Sequence, residues 1–371
     1  MTLKAVIEKH IEGSGPISFE KFMDMALYFP GMGYYSRHDT RIGKDGDFYT
    51  SPHLHPVFGA VMARQIEQMW EVLDKPAGFT VIEPGPGAGY LCLDILNHLA
   101  KKQSPLLKRL QYQLLEINPS LKQQQQERLR DYDALVSWPD SLEPFDYGCV
   151  LAHEVLDAFP VRRVVNTKTG GLKEVYVTVE HGELRETLNE AEPELADYFT
   201  SRNVVLPIDY STEVNLRLKA WLNEVSRVIA KEGFVMIIDY GHTQDEYFSR
   251  ERHEGTLLCY YRHRVSEDFY NNIGLQDMTA HVNFTDLHIW AAQCGLKTIG
   301  FCPQVSFLLG LGIDELIMEF CHTKHDIDKG LGQIKGLIFD TGQSHQVMVQ
   351  YKGKKNPLLR GFSVRNRLGA L

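Results

Sequence analysis

The 371-residue sequence predicts an α/β fold, a doubly wound sheet with an N-terminal helical cover and an inserted β-hairpin/helical subdomain. Three observations predict it. Residues 79–96 read as a strand, a glycine turn and a helix. Short apolar strands ending near Glu116, Glu154 and Asp239 alternate with stretches of helical period. Residues 164–188 instead alternate with period two, which marks an inserted β region.

In chain order, residues 1–30 read as two short helices around Gly13-Ser-Gly-Pro16. Ser18 is placed to cap the second, whose buried face is Phe19, Phe22, Met23, Ala26 and Leu27. Tyr28 to Tyr35 is a loop of Gly, Pro and aromatic residues, and a polar segment runs from Lys44 to Pro52. Ser51 with Pro52 marks a helix start. Apolar residues at 57, 58, 61, 62, 66, 69, 70 and 73 continue a helix over Val57–Leu73. By residue type alone, Asp47, Thr50 and Ser51 are turn and cap chemistry.

Phe79, Val81 and Ile82 make a short buried strand that Glu83 ends. Gly85, Gly87 and Gly89 form the turn, and Leu91, Leu93, Ile95 and Leu96 begin a helix to about Lys101. Glycine accepts positive φ and has no Cβ to hold a ligand away from the backbone. A dinucleotide fingerprint, G-x-G-x-x-G, needs its third glycine at position 90, where Tyr90 stands. The pattern is acidic-x-G-x-G-x-G, from Glu83 to Gly89. It resembles motif I of the class I S-adenosylmethionine (SAM) methyltransferases. SAM offers an ammonium, a carboxylate and a sulfonium rather than a pyrophosphate, which suits an acid at the strand end. Without a ligand, the same residues make a tight strand-to-helix turn.

Tyr112-Gln-Leu-Leu-Glu116 is the second strand. Glu116 is placed to bind both hydroxyls of a ribose, or is a solvated strand end; it lies beyond the roughly 20 residues usual after the turn. The helix Ser120–Leu129 carries a glutamine run read as a solvated face. Ala134–Trp138 is the third strand, after which Asp140 or Ser141 meets an adenine amino group or simply turns the chain. Tyr147–Ala152 is the fourth strand. The carboxyl ends of the strands define the crevice of a doubly wound sheet, so His153, Glu154 and Asp157 are placed where a substrate would react. The alternative is that Asp157 caps a turn and Glu154 pairs with Arg162 or Arg163.

The insertion reaches Pro207, with His181-Gly182 as its hairpin turn. A helix is expected over Thr212–Lys231, then a fifth core strand over Phe234–Ile238 ending at Asp239-Tyr-Gly-His242. A helix over Asp286–Cys294, closing strands at Lys297–Phe301 and His345–Tyr351, a helical segment over Asp314–Leu337 between them, and a basic, mobile tail from Lys352 complete the chain. The regions are therefore a cover and lid segment (1–56), a binding core (57–163), an inserted β region (164–210), a core continuation (211–245), a helical recognition region (246–340) and a last strand with its tail (341–371).

Net charge is −9, which disfavours a nucleic-acid backbone as partner and suits a cationic substrate. The six cysteines contain no C-x-x-C pair, so a zinc or redox motif is not expected; scattered thiols fit a reducing compartment. His53/His55 and His322/His325 lack a carboxylate or cysteine framework and read as surface histidines, leaving no expected metal. No apolar run is long enough to cross a membrane, and the N-terminal stretch has acids and no apolar leader region. The expected location is cytoplasmic, in a bacterium.

From about Ile17 to Tyr351 the chain resembles the MidA family of class I SAM-dependent methyltransferases. The resemblance rests on Gly33-Tyr-Tyr35, Gly46-Asp-Phe48 with Thr50-Ser-Pro52, Phe58-Gly59, Glu83 to Gly89, Ala152-His-Glu154 with Asp157 and Pro160, Asp239-Tyr-Gly241, Gly255-Thr-Leu257, and Thr279-Ala-His-Val282 with Phe284-Thr285. It implies a Rossmann-like class I methyltransferase core, SAM as cofactor and an arginine-bearing protein as substrate; the family's mitochondrial member assembles respiratory complex I. It also implies that Glu83, Gly85, Gly87, Gly89 and Glu116 hold SAM, that Asp47, Thr50 and Ser51 lie in the segment covering it, and that Glu154 and Asp157 face the substrate. The chain departs from the family at His53, where an acid is usual, and at Leu258 and Ala88, where Arg is frequent. Asn283 replaces an Asp.

The expected chemistry is in-line methyl transfer to a guanidinium nitrogen. Guanidinium stays protonated, so carboxylates must hold it and localise its charge. Glu154 and Asp157 suit that, with Asp239 or His242 as proton acceptor. The rival readings are a SAM-binding assembly chaperone without methyl transfer, a small-molecule methyltransferase, and a dinucleotide oxidoreductase, against which Tyr90 argues. Monomer and homodimer are both compatible with the sequence.

Overall fold

The computed structural model describes residues 1–37, 55–320, 335, 337, 338 and 341–371. The helix Leu3–Ser14, a two-residue strand β1 (Ile17–Ser18) and the helix Phe19–Tyr28 form the N-terminal cover. Ser18 Oγ accepts the Lys21 amide, the cap its residue type predicts. The helix Val57–Val72 leads to β2 (Phe79–Pro84), the glycine turn and the helix Tyr90–Lys101. Next come β3 (Leu110–Leu115), the helix Pro119–Arg128, β4 (Val136–Ser137) and β5 (Phe145–His153). The insertion contributes β6 (Arg162–Thr167), β7 (Gly171–Glu180), β8 (Glu183–Glu190) and β9 (Tyr210–Val214). The helix Arg217–Val228 returns the chain to β10 (Ile229–His242). A small sheet of β11 (Leu258–Tyr261), β12 (Arg264–Ser266) and β13 (Asp277–Thr279) precedes β14 (Val282–Asn283) and the helix Phe284–Gln293. β15 (Lys297–Pro303), the helices Gln304–Gly310 and Ile313–Phe320, and β16 (His345–Lys352) close the fold.

The central sheet runs in the order β15-β16-β10-β5-β2-β3-β4, with β14 paired to the end of β10. From β10 to β4 every pairing is parallel, and β16 is antiparallel to both its neighbours. Helices cover both faces, so the central strands are apolar along their length, as in the fully buried Phe234–Ile238. The chain winds outward from β2 through β3 to β4, then crosses to β5 and β10. That reversal opens a crevice at the carboxyl ends of β2 and β5. A separate apolar cluster joins the cover helices to the inserted sheet and β13, through Phe19, Phe22, Val177 and Met278.

Three expectations change. The helix expected from Thr212 begins only at Arg217, because Tyr210–Val214 pairs with β6 and the edge of a sheet outweighs helical pattern. The third strand shrinks to Val136–Ser137 at the sheet edge. The tail is docked rather than mobile: Leu359 and Phe362 are buried, Phe362 packs on Phe307, and the Arg367 amide donates to Phe301 O at 2.6 Å. Among the described residues, no helix is long and apolar enough to cross a membrane.

Candidate active site

β2 delivers Glu83 to the crevice. Glu83 is 3% exposed, and Tyr112 Oη donates to its Oε2 at 2.6 Å. Burial pushes this carboxyl up to about 8, against the pull of the Tyr112 hydrogen bond. The turn follows with φ of +61° at Gly85, +53° at Gly87 and +79° at Gly89, a region costly for any side chain. A Cβ on Gly85 would stand 2.9 Å from Val155 Cγ2.

The turn is fastened from the next helix. Gln125 Nε2 donates to Gly87 O at 2.7 Å and to Glu116 Oε2 at 3.0 Å, while Trp138 Nε1 donates to Gln125 Oε1 at 2.9 Å. Arg128 donates to Ala88 O and lies 4.0 Å over the Tyr90 ring. Glu116 also accepts the Asn118 amide at 2.7 Å, and burial pushes its carboxyl up to about 7. The glutamine run is thus not wholly a solvated face, since Gln125 is fully buried. Its position four residues after the buried Leu121 places both on one helical stripe, the signal that was available in the sequence.

Glu83, Gly85, Gly87 and Glu116 line one cavity of about 580 Å³, shared with His153 and Glu154. Asp140 and Ser141 also reach it, Asp140 being ion-paired with Lys122 at 3.6 Å. Gly89, Asp157 and Asp239 do not line the cavity. Asp47, Thr50 and Ser51 lie outside the described residues.

Glu154 has φ +49°, unusual for a side chain with a Cβ, and its amide donates to Ile238 O at 2.9 Å. Its Oε1 lies 3.3 Å from His153 Nε2 and 3.2 Å from His345 Nε2. The arginine alternative does not occur: Arg162 binds Glu174 at 2.6 and 2.7 Å, and Arg163 binds Glu186. Asp239 corrects a second expectation. It is fully buried, and its oxygens accept the amides of Val155, Leu156, Asp157 and Tyr240 at 3.2, 2.9, 3.4 and 2.9 Å. These bonds shape the turn that carries Glu154, so Asp239 faces backbone amides and does not line the cavity. His242 likewise stands aside, with Nε2 3.0 Å from His281 Nδ1.

Asp157 is buried, and its Oδ1 has no hydrogen-bond partner among the described residues. Burial, then Asp239, Asp277 and Glu154, hold its carboxyl well above the usual range. The sequence reading missed Asp277. Tyr35 Oη donates to both its oxygens at 2.8 and 2.9 Å, and Tyr28 Oη donates to Ala158 O at 2.9 Å. Both tyrosines line the cavity, so the cover contributes to its wall. Of the departures from the family pattern, Asn283 caps the helix Phe284–Gln293 by accepting the Thr285 and Asp286 amides.

Comparison with known proteins agrees with this geometry. A family model described as "Putative S-adenosyl-L-methionine-dependent methyltransferase" matches residues 61–302. The chain belongs to this family. The methyltransferase is 30% identical to the mitochondrial protein arginine methyltransferase NDUFAF7 of Danio rerio, over 84% of this chain and 76% of that one. The Homo sapiens protein of the same name is 27% identical over 82% and 72%. A crystal structure from Burkholderia thailandensis bound to S-adenosyl-homocysteine superposes with TM-score 0.88 at 30% identity, covering 100% of this chain and 96% of that one. SAM is therefore the cofactor, and the donor set fits it: an open glycine backbone, a buried acid at Glu83 and a strand-end acid at Glu116. The cytoplasmic expectation is overturned, since these curated relatives are named as mitochondrial. Free thiols indicate a reducing milieu and do not distinguish one such compartment from another.

Proposed function

We propose that this methyltransferase transfers the methyl group of SAM to an arginine side chain of a protein. The observation that carries the reading is the gathering of buried carboxyl groups, Glu154, Asp157, Asp239 and Asp277, beside a cavity that Glu154 lines. Buried acids repel one another, and a guanidinium relieves that repulsion while its charge is localised. The relatives' naming as protein arginine methyltransferases supports the same acceptor. Asp24, Arg217, Trp221 and Glu224 line the cavity too; Arg217 pairs with Asp24 at 2.7 Å, and Trp221 and Glu224 offer an aromatic face and a carboxylate to a cationic peptide.

When bound, SAM supplies an electrophilic methyl group. The chain's own residues bind and orient. Glu83 and the turn of Gly85 and Gly87, which Gly89 completes, receive the methionine portion, Glu116 takes the ribose hydroxyls, and Asp140 or Ser141 meets the adenine amino group. Glu154 holds the guanidinium and accepts the proton it loses, with Asp157 adding negative charge behind it.

The test is calorimetric titration with SAM, followed by tritiated-methyl transfer into a lysate of cells lacking this protein. The expected result is saturable binding, label in arginine, and a Glu154→Gln variant that binds SAM but transfers nothing. Binding with no label in any protein would replace this reading with that of a SAM-binding assembly factor.

A further inference from the structure

We infer that Asn118 is a positioning residue for the cofactor, docking the cover residues Tyr35 and Arg37 against the strand end that carries Glu116; this rests on the reading above of Glu116 as the ribose acid. Asn118 is fully buried, at the start of the helix Pro119–Arg128. Its Oδ1 accepts the Ser120 amide at 3.0 Å and the Leu121 amide at 3.4 Å, capping that helix. Its Nδ2 donates to Tyr35 O at 3.0 Å and to Arg37 O at 2.7 Å. The opposite orientation of the side-chain amide would set N–H against N–H and oxygen against oxygen, so these four bonds fix it. The backbone amide of the same residue donates to Glu116 Oε1 at 2.7 Å.

Capping alone does not call for asparagine. Serine and aspartate cap a helix about as well, but neither carries two N–H donors. Here both donors are spent on carbonyls that lie 83 and 81 residues earlier in the chain. The tie shapes the cavity. Glu116, Ile117 and Leu121 line it from the core, while Tyr28 and Tyr35 line it from the cover. The Tyr35 ring stacks on Tyr28 with centroids 5.5 Å apart, and its hydroxyl donates to Asp277 at 2.8 Å. Arg37 is held from the same side, its Nη1 donating to Gly274 O at 3.0 Å. Asp277 opens β13, which packs in the cover's own apolar cluster through Met278. Asn118 supplies the tie from the opposite side, the strand end where the ribose is received. It thereby sets how far the Tyr35 wall stands from Glu116.

The experiment uses the full chain with 3-fluorotyrosine at position 35 alone, titrated with SAM. In the unmodified chain SAM is expected to move the fluorine resonance, since Tyr35 lines the cavity. Asn118→Asp keeps the helix cap but turns a carboxylate oxygen toward the two carbonyls. Asn118→Ser keeps the cap and removes both donors without adding charge, so a folding defect caused by a buried charge does not decide the outcome. In both variants the resonance is expected to differ from the unmodified chain before SAM is added, and calorimetry to give SAM affinity lower by about tenfold. SAM affinity within about twofold of the unmodified chain in both variants overturns the inference. A Tyr35 resonance unmoved by either substitution does the same, because any lost affinity would then come through the helix. Should Glu116→Ala bind SAM as tightly as the unmodified chain, the ribose reading falls instead, and the Tyr35 resonance still judges Asn118.

Discussion

Asp239 Oδ2 accepts the Leu156 amide at 2.9 Å, tying the end of β10 to the turn that presents Glu154. A carboxylate accepting four backbone amides has oxygens where an amide side chain would place N–H groups. Asp239→Asn is therefore expected to cost about 2 kcal/mol of stability, the penalty for a buried donor left unpaired. Denaturant unfolding measures it, and an unchanged midpoint would show that the turn is held by other contacts.

Gln125 is the fastening of the glycine turn. Gln125→Ala leaves Gly87 O, Trp138 Nε1 and one oxygen of Glu116 without their partner. The expected loss is about 2 kcal/mol of stability, with SAM affinity falling roughly tenfold, equivalent to about 1.4 kcal/mol. Calorimetry with SAM reads the second effect, and an unaltered Kd would show that Gly87 needs no external hold.

Glycine at 85 is set by both conformation and space. Gly85→Ala meets φ +61° and Val155 Cγ2 at 2.9 Å. A cost of about 1–2 kcal/mol follows from the left-handed backbone alone. Gly87→Val, at φ +53°, is expected to abolish SAM binding. Normal SAM titration of Gly87→Val would mean that the turn is purely structural.

Glu83 and Glu116 make the unliganded protein pH-sensitive. Their folded values, about 8 and about 7, lie above the ordinary 4.5. The folded chain therefore holds more protons than the unfolded chain across that window. The stability they contribute is present below pH 4.5 and is lost as pH rises through 7 and 8. A cationic ligand favours the ionised carboxyls, so SAM affinity should rise over the same range with proton release. Tyr112→Phe removes the hydrogen bond that pulls Glu83 down and should move the rise to higher pH. Calorimetry in buffers of different ionisation enthalpy counts the protons; none released would exclude Glu83 and Glu116 from direct contact with the cofactor.

Much of this was legible from local pattern. The strand, glycine turn and helix at 79–101 form as read, because glycine conformation and apolar spacing are properties of neighbouring residues. The hairpin over β7 and β8 declares itself by alternation around His181-Gly182. Harder to read were segments whose partners are distant. Thr212 and Val214 carry a helical pattern, yet β6 claims them as a strand. The polar Gln125 is buried because the turn before it in the chain needs a donor.

By itself the sequence determined the cradle, the order of the core strands' acidic ends and the family to which the chain belongs. The tertiary structure decided what each acid does. Glu154 reaches the cavity, Asp239 turns inward to backbone amides, and Asp277 and His345 arrive from strands far along the chain. The physical reason is that a carboxylate's role follows from which donors and charges surround it. Those neighbours are set by strand order and register, which residue spacing along one chain does not encode.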